Sequence, residues 1–264
     1  MKLIVRVFLI FVILFFGVYL YLYKKYSART FILYYHKVDY YKGGFKGSSI
    51  KPETFDKQMA MFYKKGYRTI SLTELVKIIK NKKNFPKKVF VITFDDGYEN
   101  NYTNAFPVLK KYGFTATIFL NAGAIGKFWK YPRGVQPEQH LSASQIKEMS
   151  EYLDFGSHTV NHPDLTKISE NEILNELSES KKVIEKISKK PVVTFCYPFG
   201  SYNENVVMSV KKIYEGACTT DAGLVSNKSN PYLLPRVELK EFYAMSPGDF
   251  FKNIGFYIKI FIKA

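Results

Sequence analysis

The sequence predicts an α/β protein with a parallel sheet, open or closed into a barrel, and helices packed on its outside. Three observations carry this prediction. Short runs of β-branched and aromatic residues alternate along the chain with amphipathic stretches. Hydrophobic residues make up 47% and charged residues 23% of the 264 residues, which excludes a disordered polyelectrolyte. Polar motifs follow several apolar runs, and in parallel sheets chemistry collects at the carboxyl ends of the strands.

The first element is an apolar run at the N-terminus. Val7–Tyr23 holds 17 consecutive uncharged residues between Arg6 and Lys24. At about 1.5 Å per residue, a helix of this length just spans a bilayer core, with the two cations at the interfaces. A cleaved signal peptide is the alternative, but the run is long for one and a poor cleavage site follows it. We therefore expect residues 1–29 to be an uncleaved single-pass membrane anchor, although the basic residues on both sides leave its orientation open.

Six strands and five helices are predicted after this run. The strands are Phe31–Tyr35, Val89–Phe94, Thr115–Leu120, Asp154–Ser157, Val192–Cys196 and Gly216–Thr219. The helices are Thr54–Lys65, Leu72–Lys80, Tyr102–Tyr112, Ser144–Glu151 and Glu170–Lys189. Capping-box spacing supports three helix starts, with the pairs Ser71/Glu74, Ser142/Gln145 and Ser169/Glu172. Pro107 is expected to kink or shorten the third helix.

The chain is strongly basic, with 39 Lys and Arg against 23 Asp and Glu and a formal net charge of +16. Residues 1–30 carry five of these charges, and the other eleven are spread without a long basic block. Because no basic helix or base-stacking motif accompanies the charge, we expect no nucleic-acid partner. The two cysteines, Cys196 and Cys218, exclude a disulfide-rich mini-fold and a four-thiolate zinc site.

Four polar segments stand at or just beyond predicted strands. They are Tyr34-Tyr35-His36-Lys37, Thr93-Phe94-Asp95-Asp96-Gly97, Ser157-His158-Thr159-Val160-Asn161-His162-Pro163 and Cys196-Tyr197-Pro198-Phe199-Gly200. Two histidines four residues apart, with a carboxylate from another loop, form a three-ligand site for a divalent metal. Since adjacent carboxylates in one turn cannot easily both be ligands, Asp96 is assigned to the metal and Asp95 to the general base. A plain polar turn and ordinary surface histidines are the alternatives, which the joint occurrence of both motifs disfavours.

These motifs resemble those of the NodB-type polysaccharide deacetylases, metal-dependent enzymes that remove N-acetyl groups from hexosamine polymers. Thr93–Gly97 is similar to the first motif of that family and Ser157–Pro163 to its histidine motif. The resemblance covers about residues 30–240, where it implies a distorted (β/α) barrel. It also implies a catalytic base and three metal ligands, which are Asp95, Asp96, His158 and His162.

The third motif departs from the family pattern at Cys196, where the pattern has Arg, and at Phe199, where it has Tyr. The resemblance implies that the Phe199 backbone N–H donates to the oxyanion whatever the side chain. Arg236 is the candidate substitute for the missing arginine that orients Asp95. Tyr197 is predicted to bind substrate.

The general acid also departs from the commonest pattern, because no histidine follows His162. A branch similar to the biofilm poly-β-1,6-N-acetylglucosamine deacetylases places this histidine in an N-terminal strand, and Tyr34-Tyr35-His36 fits that arrangement. The resemblance therefore implies that His36 protonates the leaving amine. The alternative is an ordinary strand-end histidine.

Three further features are less specific. Trp129 could stack on sugar rings or pack on the barrel, and the two interpretations are equally supported. His140 lacks ligand-like spacing, so we expect a surface loop residue. The tail Phe250–Lys263, within residues 246–264, is basic and apolar, and we favour a membrane interface over a last packed helix.

Together these features predict a deacetylase of a cell-surface hexosamine polymer, formed by residues 30–245 on the outer side of the cell membrane. The expected cofactor is Zn²⁺, with Co²⁺, Ni²⁺ or Fe²⁺ as alternatives. Rival interpretations are a deacetylase of peptidoglycan or chitin and a deacylase of a lipid-linked sugar. A different class, an inactive carbohydrate-binding module, stays open because of the changes at Cys196 and Phe199.

Overall fold

A computed structural model describes residues 29–42, 48–129 and 137–239. The predicted anchor and the predicted C-terminal tail lie outside these residues. Within the described ranges, no helix combines the length and the apolar character that a bilayer crossing requires.

Fourteen strands and six α-helices make up the described part of the chain. The strands are β1 (Arg29–Thr30), β2 (Ile32–Tyr35), β3 (Lys37–Val38), β4 (Ser49–Ile50), β5 (Arg68–Thr69), β6 (Val89–Phe94), β7 (Thr117–Leu120), β8 (Phe128–Trp129), β9 (Glu138–Gln139), β10 (Asp154–Ser157), β11 (Thr194–Cys196), β12 (Gly216–Ala222), β13 (Val225–Ser226) and β14 (Leu234–Glu238). The helices are α1 (Pro52–Lys64), α2 (Leu72–Lys80), α3 (Phe106–Tyr112), α4 (Ala143–Met149), α5 (Glu170–Ser188) and α6 (Glu204–Ile213).

Seven of the strands form a closed parallel barrel. Their order around the ring is β2-β14-β12-β11-β10-β7-β6, and β6 pairs again with β2. Leu33 stands opposite Val237 on one side of β2 and opposite Ile92 on the other, so the first barrel strand lies between the last one and β6. The sequence left the choice between an open sheet and a barrel to the family resemblance, and the closed ring agrees with the barrel that it implied.

The barrel strands are buried on both faces, and their side chains alternate between two apolar clusters. In β6, Phe90 and Phe94 pack outward under the helices, whereas Val91 points into the barrel. Helix α2 shares the inner cluster and covers the amino ends of the strands. There the N–H of Leu72 donates to Thr117 Oγ1 at 3.2 Å. The opposite, carboxyl end is therefore the one left for a site.

Helix starts follow the predicted caps. Ser142 and Ser169 form complete capping boxes with Gln145 and Glu172. Ser71 accepts a hydrogen bond from the Glu74 N–H but makes only this half of the box.

The third helix differs from the prediction in its first turn. Residues Asn101–Ala105 form a π-helical turn, and α-helical geometry begins only at Phe106. Pro107 explains the difference, because a proline nitrogen has no hydrogen to donate to the turn before it. π-Helical turns are frequent at functional sites, and this one contacts the segment that carries His36.

The sequence did not predict one helix, one barrel strand and the seven strands of only two residues. Helix α6 begins at an Asn203 cap, and its valines at 206, 207 and 210 are typical of strands as much as of helices. Strand β14 contains Pro235, which counts against a strand in a sequence pattern. The predicted strand at Gly216 also continues to Ala222, beyond the apolar part of its sequence.

Candidate active site

The four polar segments meet at the carboxyl end of the barrel, where their strands β2, β6, β10 and β11 end. The fifth contribution is Arg236 from β14, which points into the barrel below the segments. Parallel strands bring these groups together although His36 and Arg236 are 200 residues apart in the sequence. The order of strands around the ring thus decides which motifs are neighbours.

Asp95 is held by Arg236 in a two-pronged ion pair. Arg236 Nη1 and Nη2 donate to the two carboxylate oxygens of Asp95, each at 2.7 Å. Both side chains are buried, and the guanidinium carbon lies 4.6 Å from the ring centroid of Tyr34. Burial raises the pKa of the Asp95 carboxyl, but the Arg236 charge outweighs it and holds that pKa well below its usual range. Asp95 is consequently ionised and fixed in orientation.

Arg236 uses all five of its N–H groups. Besides Asp95, it donates from Nε to the Thr219 carbonyl at 2.8 Å, from Nη1 to Thr93 Oγ1 at 3.1 Å and from Nη2 to Cys196 Sγ at 3.1 Å. The family pattern places its arginine at position 196. Here a small thiol occupies that position, and an arginine from β14 contacts its sulfur. The predicted substitution of Arg236 for the missing arginine therefore has a direct geometric basis.

Asp96, His158 and His162 form a cluster suited to a divalent metal. The Nε2 atoms of His158 and His162 lie 3.7 and 3.6 Å from Asp96 Oδ1 and 3.2 Å from each other. Ligand atoms about 2.1 Å from a tetrahedral metal are roughly 3.4 Å apart, so the three donors stand at coordination spacing. Two nitrogens and one carboxylate oxygen are ligands that Zn²⁺ and its neighbours accept. The residues present fit the expected cofactor.

The surroundings of His158 and His162 favour metal binding by a ring nitrogen of each. His158 Nδ1 lies 2.7 Å from the carbonyl oxygen of Cys196, which leaves Nε2 unprotonated when the ring is neutral. Burial and the adjacent His158 lower the pKa of His162 to about 4. The His162 imidazole is consequently neutral near pH 7, the state in which its nitrogen binds a metal.

Helix α5 fixes the loop that carries the histidines. Its buried Glu176 accepts the N–H groups of Val160 and Asn161 at 2.7 and 2.9 Å and the side-chain amide of Asn161 at 2.7 Å. Glu176 was not predicted from the sequence, because only the packing of α5 against the loop shows its partners. Glu176 lies 13 residues after Pro163, outside every motif.

Backbone strain is concentrated in the site loops. Asp96, Thr159, His162 and Phe199 have φ between 55° and 72°, a left-handed region that costs non-glycine residues about 1–2 kcal/mol each. Gly97 follows with φ of 75°, and a Cβ there would lie 2.5 Å from Leu120 Cδ2. Such a turn sends the Asp95 and Asp96 carboxylates in different directions, one to Arg236 and one to the histidines.

His36 lies on the open side of Asp95. Its Nε2 is 4.0 Å from Asp95 Oδ2, and its side chain is 28% exposed, whereas that of Asp95 is 3% exposed. His36 is therefore close to the buried Asp95 carboxylate and is also accessible to a molecule that binds from solvent.

Three asparagines near the π-helical turn hold the segment that carries His36. Asn101 Nδ2 donates to the His36 carbonyl at 2.8 Å, and Asn104 Nδ2 donates to the Val38 carbonyl at 2.7 Å. Asn100 Oδ1 accepts the Val38 N–H at 3.0 Å. These residues were not predicted, although three asparagines within seven residues of Gly97 are a visible signal in the sequence.

The third motif separates into a buried and an exposed aromatic residue. Tyr197 is fully buried, and its hydroxyl donates to the Tyr232 carbonyl at 3.0 Å. We therefore correct the prediction that its side chain binds substrate and assign it to the core. Phe199 is 65% exposed, and its ring centroid lies 4.5 Å from that of His162.

The prediction for His140 was wrong. His140 is 1% exposed, its Nδ1 lies 3.0 Å from the Glu138 carbonyl oxygen, and its ring packs 4.9 Å from that of Tyr98. An isolated antiparallel β-bridge pairs the His140 backbone with that of Tyr98 and holds His140 in the interior. Trp129 lies in β8, half-buried, next to this segment.

A closed barrel with an ionised buried carboxylate beside three potential metal ligands is an arrangement suited to a hydrolase. A profile of the polysaccharide deacetylase family matches residues 82–214, and the chain belongs to this family. The enzyme class and the family resemblance drawn from the motifs are thereby confirmed.

Relatives extend the match over most of the chain. YxkH of Bacillus subtilis is 32% identical over 236 residues, which cover 88% of this chain and 77% of that protein. The poly-β-1,6-N-acetyl-D-glucosamine N-deacetylase of Staphylococcus aureus is 30% identical over 207 residues, or 74% and 69% of the two chains. The solved structure of the deacetylase PplD from Streptococcus pyogenes, in complex with acetate, has a TM-score of 0.72 at 27% identity and covers 86% of this chain and 98% of that one.

Proposed function

We propose that this deacetylase removes N-acetyl groups from a poly-N-acetylglucosamine-like polymer at the cell surface, with Asp95 as base and His36 as acid. The observation that carries the proposal is the position of the Arg236-oriented Asp95 carboxylate between His36 and the Asp96-His158-His162 cluster. The likeness to the Staphylococcus aureus enzyme supports the choice of polymer.

Asp96, His158 and His162 would hold the divalent cation, for which Zn²⁺ is our first choice. A cation bound there acidifies a water molecule and polarises the acetamide carbonyl. Asp95 accepts the proton of the attacking water, and the two hydrogen bonds from Arg236 keep its carboxylate aimed and ionised for this step.

The Phe199 backbone N–H donates a hydrogen bond to the developing oxyanion. The left-handed conformation of Phe199 orients this N–H. His36 then gives its proton to the amine nitrogen as the C–N bond breaks. Water adds its oxygen to the acetyl carbon, so the products are acetate and a glucosamine unit with a free amine. The exposure of His36 suits a group that must regain its proton from solvent.

The cell membrane is the proposed location, with the barrel on the outer side. Support comes from the uncharged run Val7–Tyr23, directly before the barrel, and from the basic, apolar segment after it. A polymer at the cell surface lies within reach of a barrel tethered in this way.

Acetate release by the purified full-length protein tests the proposal. Oligomers of β-1,6-linked N-acetylglucosamine, oligomers with β-1,4 linkage and peptidoglycan are compared, with and without a chelator. We expect the fastest release from the β-1,6-linked oligomers, loss of release with the chelator and recovery on addition of Zn²⁺. Faster release from another glycan would overturn the choice of polymer, and binding without release would favour the inactive module.

Asp95→Asn is the matched variant for the chemistry. Loss of the general base is expected to lower kcat by about 10²- to 10⁴-fold while the metal content, measured by elemental analysis, stays near that of the wild type. Near-normal turnover would remove Asp95 from the role of base.

A further inference from the structure

A small hairpin stands against the rim of the site. Strands β8 and β9 pair antiparallel, and backbone bonds fix them to the residues just after Asp96. The Leu141 N–H donates to the Gly97 carbonyl, and the Glu99 N–H donates to the Gln139 carbonyl, each at 2.9 Å. Strands β8 and β9 are thus anchored to the loop that carries Asp95 and Asp96.

One face of the hairpin is directed toward the carboxyl end of the barrel, where the candidate site lies. Trp129 and Glu138 are directly opposite in the register, so their side chains leave the same face. Glu138 Oε1 lies 3.0 Å from Lys37 Nζ on the barrel, and His140, two residues further along, packs on Tyr98. Trp129 therefore stands on the face whose other members contact the segments that bear His36 and Asp96.

The ion pair between Lys37 and Glu138 ties this face to His36. The Lys37 side chain is 5% exposed and that of Glu138 is 19% exposed, and Lys37 Nζ also lies 5.5 Å from the ring centroid of Tyr98. A buried ammonium needs its partner, because an unpaired charge in this place would be strongly unfavourable. Since Lys37 directly follows His36, the pair fixes the distance between the hairpin and His36.

We propose that Trp129 is a stacking platform for a sugar that flanks the reacting residue, and that Lys37 and Glu138 are the positioning pair for this platform. The proposal rests on the proposed function, because it names a subsite for the same glycan. An indole ring offers a large flat apolar surface that matches the C–H face of a pyranose and loses little conformational entropy on binding. The enzyme should consequently favour oligomers over a single sugar.

The fluorescence of Trp129 gives a direct test, because it is the only tryptophan of the chain. The full-length Asp95→Asn protein, which keeps the ligand acetylated, is titrated with each glycan of the acetate-release panel. We expect a saturable change in tryptophan emission with a β-1,6-linked pentamer and none with N-acetylglucosamine. Absence of a change with every oligomer would overturn the subsite.

Steady-state kinetics of the pentamer supply the second readout. Trp129→Ala is expected to raise KM about tenfold through lost stacking, with a much smaller change in kcat, and Trp129→Phe should restore most of the affinity. Glu138→Gln should also raise KM, without a matching loss of kcat. Phe128→Ala is the control, since Phe128 is 71% exposed on the opposite face and should leave KM unchanged.

The outcomes separate this proposal from the proposed function. The fluorescence titration needs no turnover, so a saturable signal would support the subsite even if acetate release failed. An active enzyme whose KM for the pentamer is unchanged in both Trp129 variants would overturn the subsite and leave the deacetylase proposal intact.

Discussion

At the scale of single residues, the site depends on a charge that the barrel encloses. Arg236 is fully buried, and every one of its N–H groups has an acceptor, with Asp95 taking two of them. A buried guanidinium is tolerated only with such complete pairing. Asp95 and Arg236 therefore form one structural unit, and neither can be changed alone without loss of stability.

Arg236→Met is expected to lower the free energy of unfolding at pH 7 by about 3–5 kcal/mol, because it leaves the Asp95 carboxylate buried without its partner. The ion pair lowers the pKa of Asp95 in the folded protein. Its contribution to the free energy of unfolding is therefore fully present above about pH 3.9, the pKa of Asp in the unfolded chain, and is lost as the pH falls toward the lower pKa of the folded protein. The deficit of the variant should consequently shrink below about pH 4. Urea denaturation of the wild type and the variant at several pH values measures this difference in the free energy of unfolding.

Arg68→Met is the matched control for this prediction, since Arg68 is exposed on β5. It should change stability by less than about 0.5 kcal/mol at any of these pH values. A deficit of Arg236→Met that stays constant from pH 7 to pH 3 would mean that the ion pair is not its origin.

Phe199→Gly separates the backbone of this residue from its ring. Glycine adopts φ of 58° without strain, and the exposed ring contributes little to the core. We expect a free energy of unfolding within about 1 kcal/mol of the wild type and a kcat that falls less than about tenfold, because the N–H is retained. A much larger fall in kcat, at unchanged stability, would assign the role to the ring.

At the scale of elements, neighbouring helices hold the loops of the site. Glu176→Gln in α5 puts an amide donor against the N–H groups of Val160 and Asn161, so the histidine loop should loosen. We expect metal affinity to fall about 10- to 100-fold, measured by competition with a chelating dye. Glu179→Gln, which removes only an exposed contact to Lys182 on the same helix, should leave the affinity unchanged.

Local patterns predicted the elements whose own residues determine them. Strand β6 is apolar throughout and was predicted with its bounds, and α2 was predicted in the same way from its cap and apolar face. Strand β14 was missed, because Pro235 and a buried arginine are unfavourable until the barrel supplies their partners. The burial of His140 likewise depends on Tyr98, which the sequence places 42 residues away.

In the site, too, the local features were predicted from local sequence patterns and the tertiary contacts were not. The spacing of His158 and His162 and the adjacency of Asp95 and Asp96 are local, and they predicted the cluster that the structure brings together. The pairing of Arg236 with Asp95 spans 141 residues, so only the family resemblance suggested it. Glu176 lies on a helix with no motif, and its role depends wholly on tertiary packing.

At the scale of the whole molecule, the net charge of +16 has two parts, and five of the charges lie in residues 1–30. Removal of residues 1–28 is expected to shift most of the protein from the membrane pellet to the supernatant after high-speed centrifugation, because the uncharged run is lost. Immunoblotting of both fractions measures the shift. Retention in the pellet until residues 246–264 are also removed would assign the membrane contact to the tail.

The ring of strands closes where the chain's beginning meets its end, because β2 pairs with β14. A ribosome delivers residues in order, so the ring cannot close before β14 has been made. His36 directly follows β2 and Arg236 lies in β14, so Asp95 lacks its partner until then. We therefore expect chains that end before β14 to be inactive.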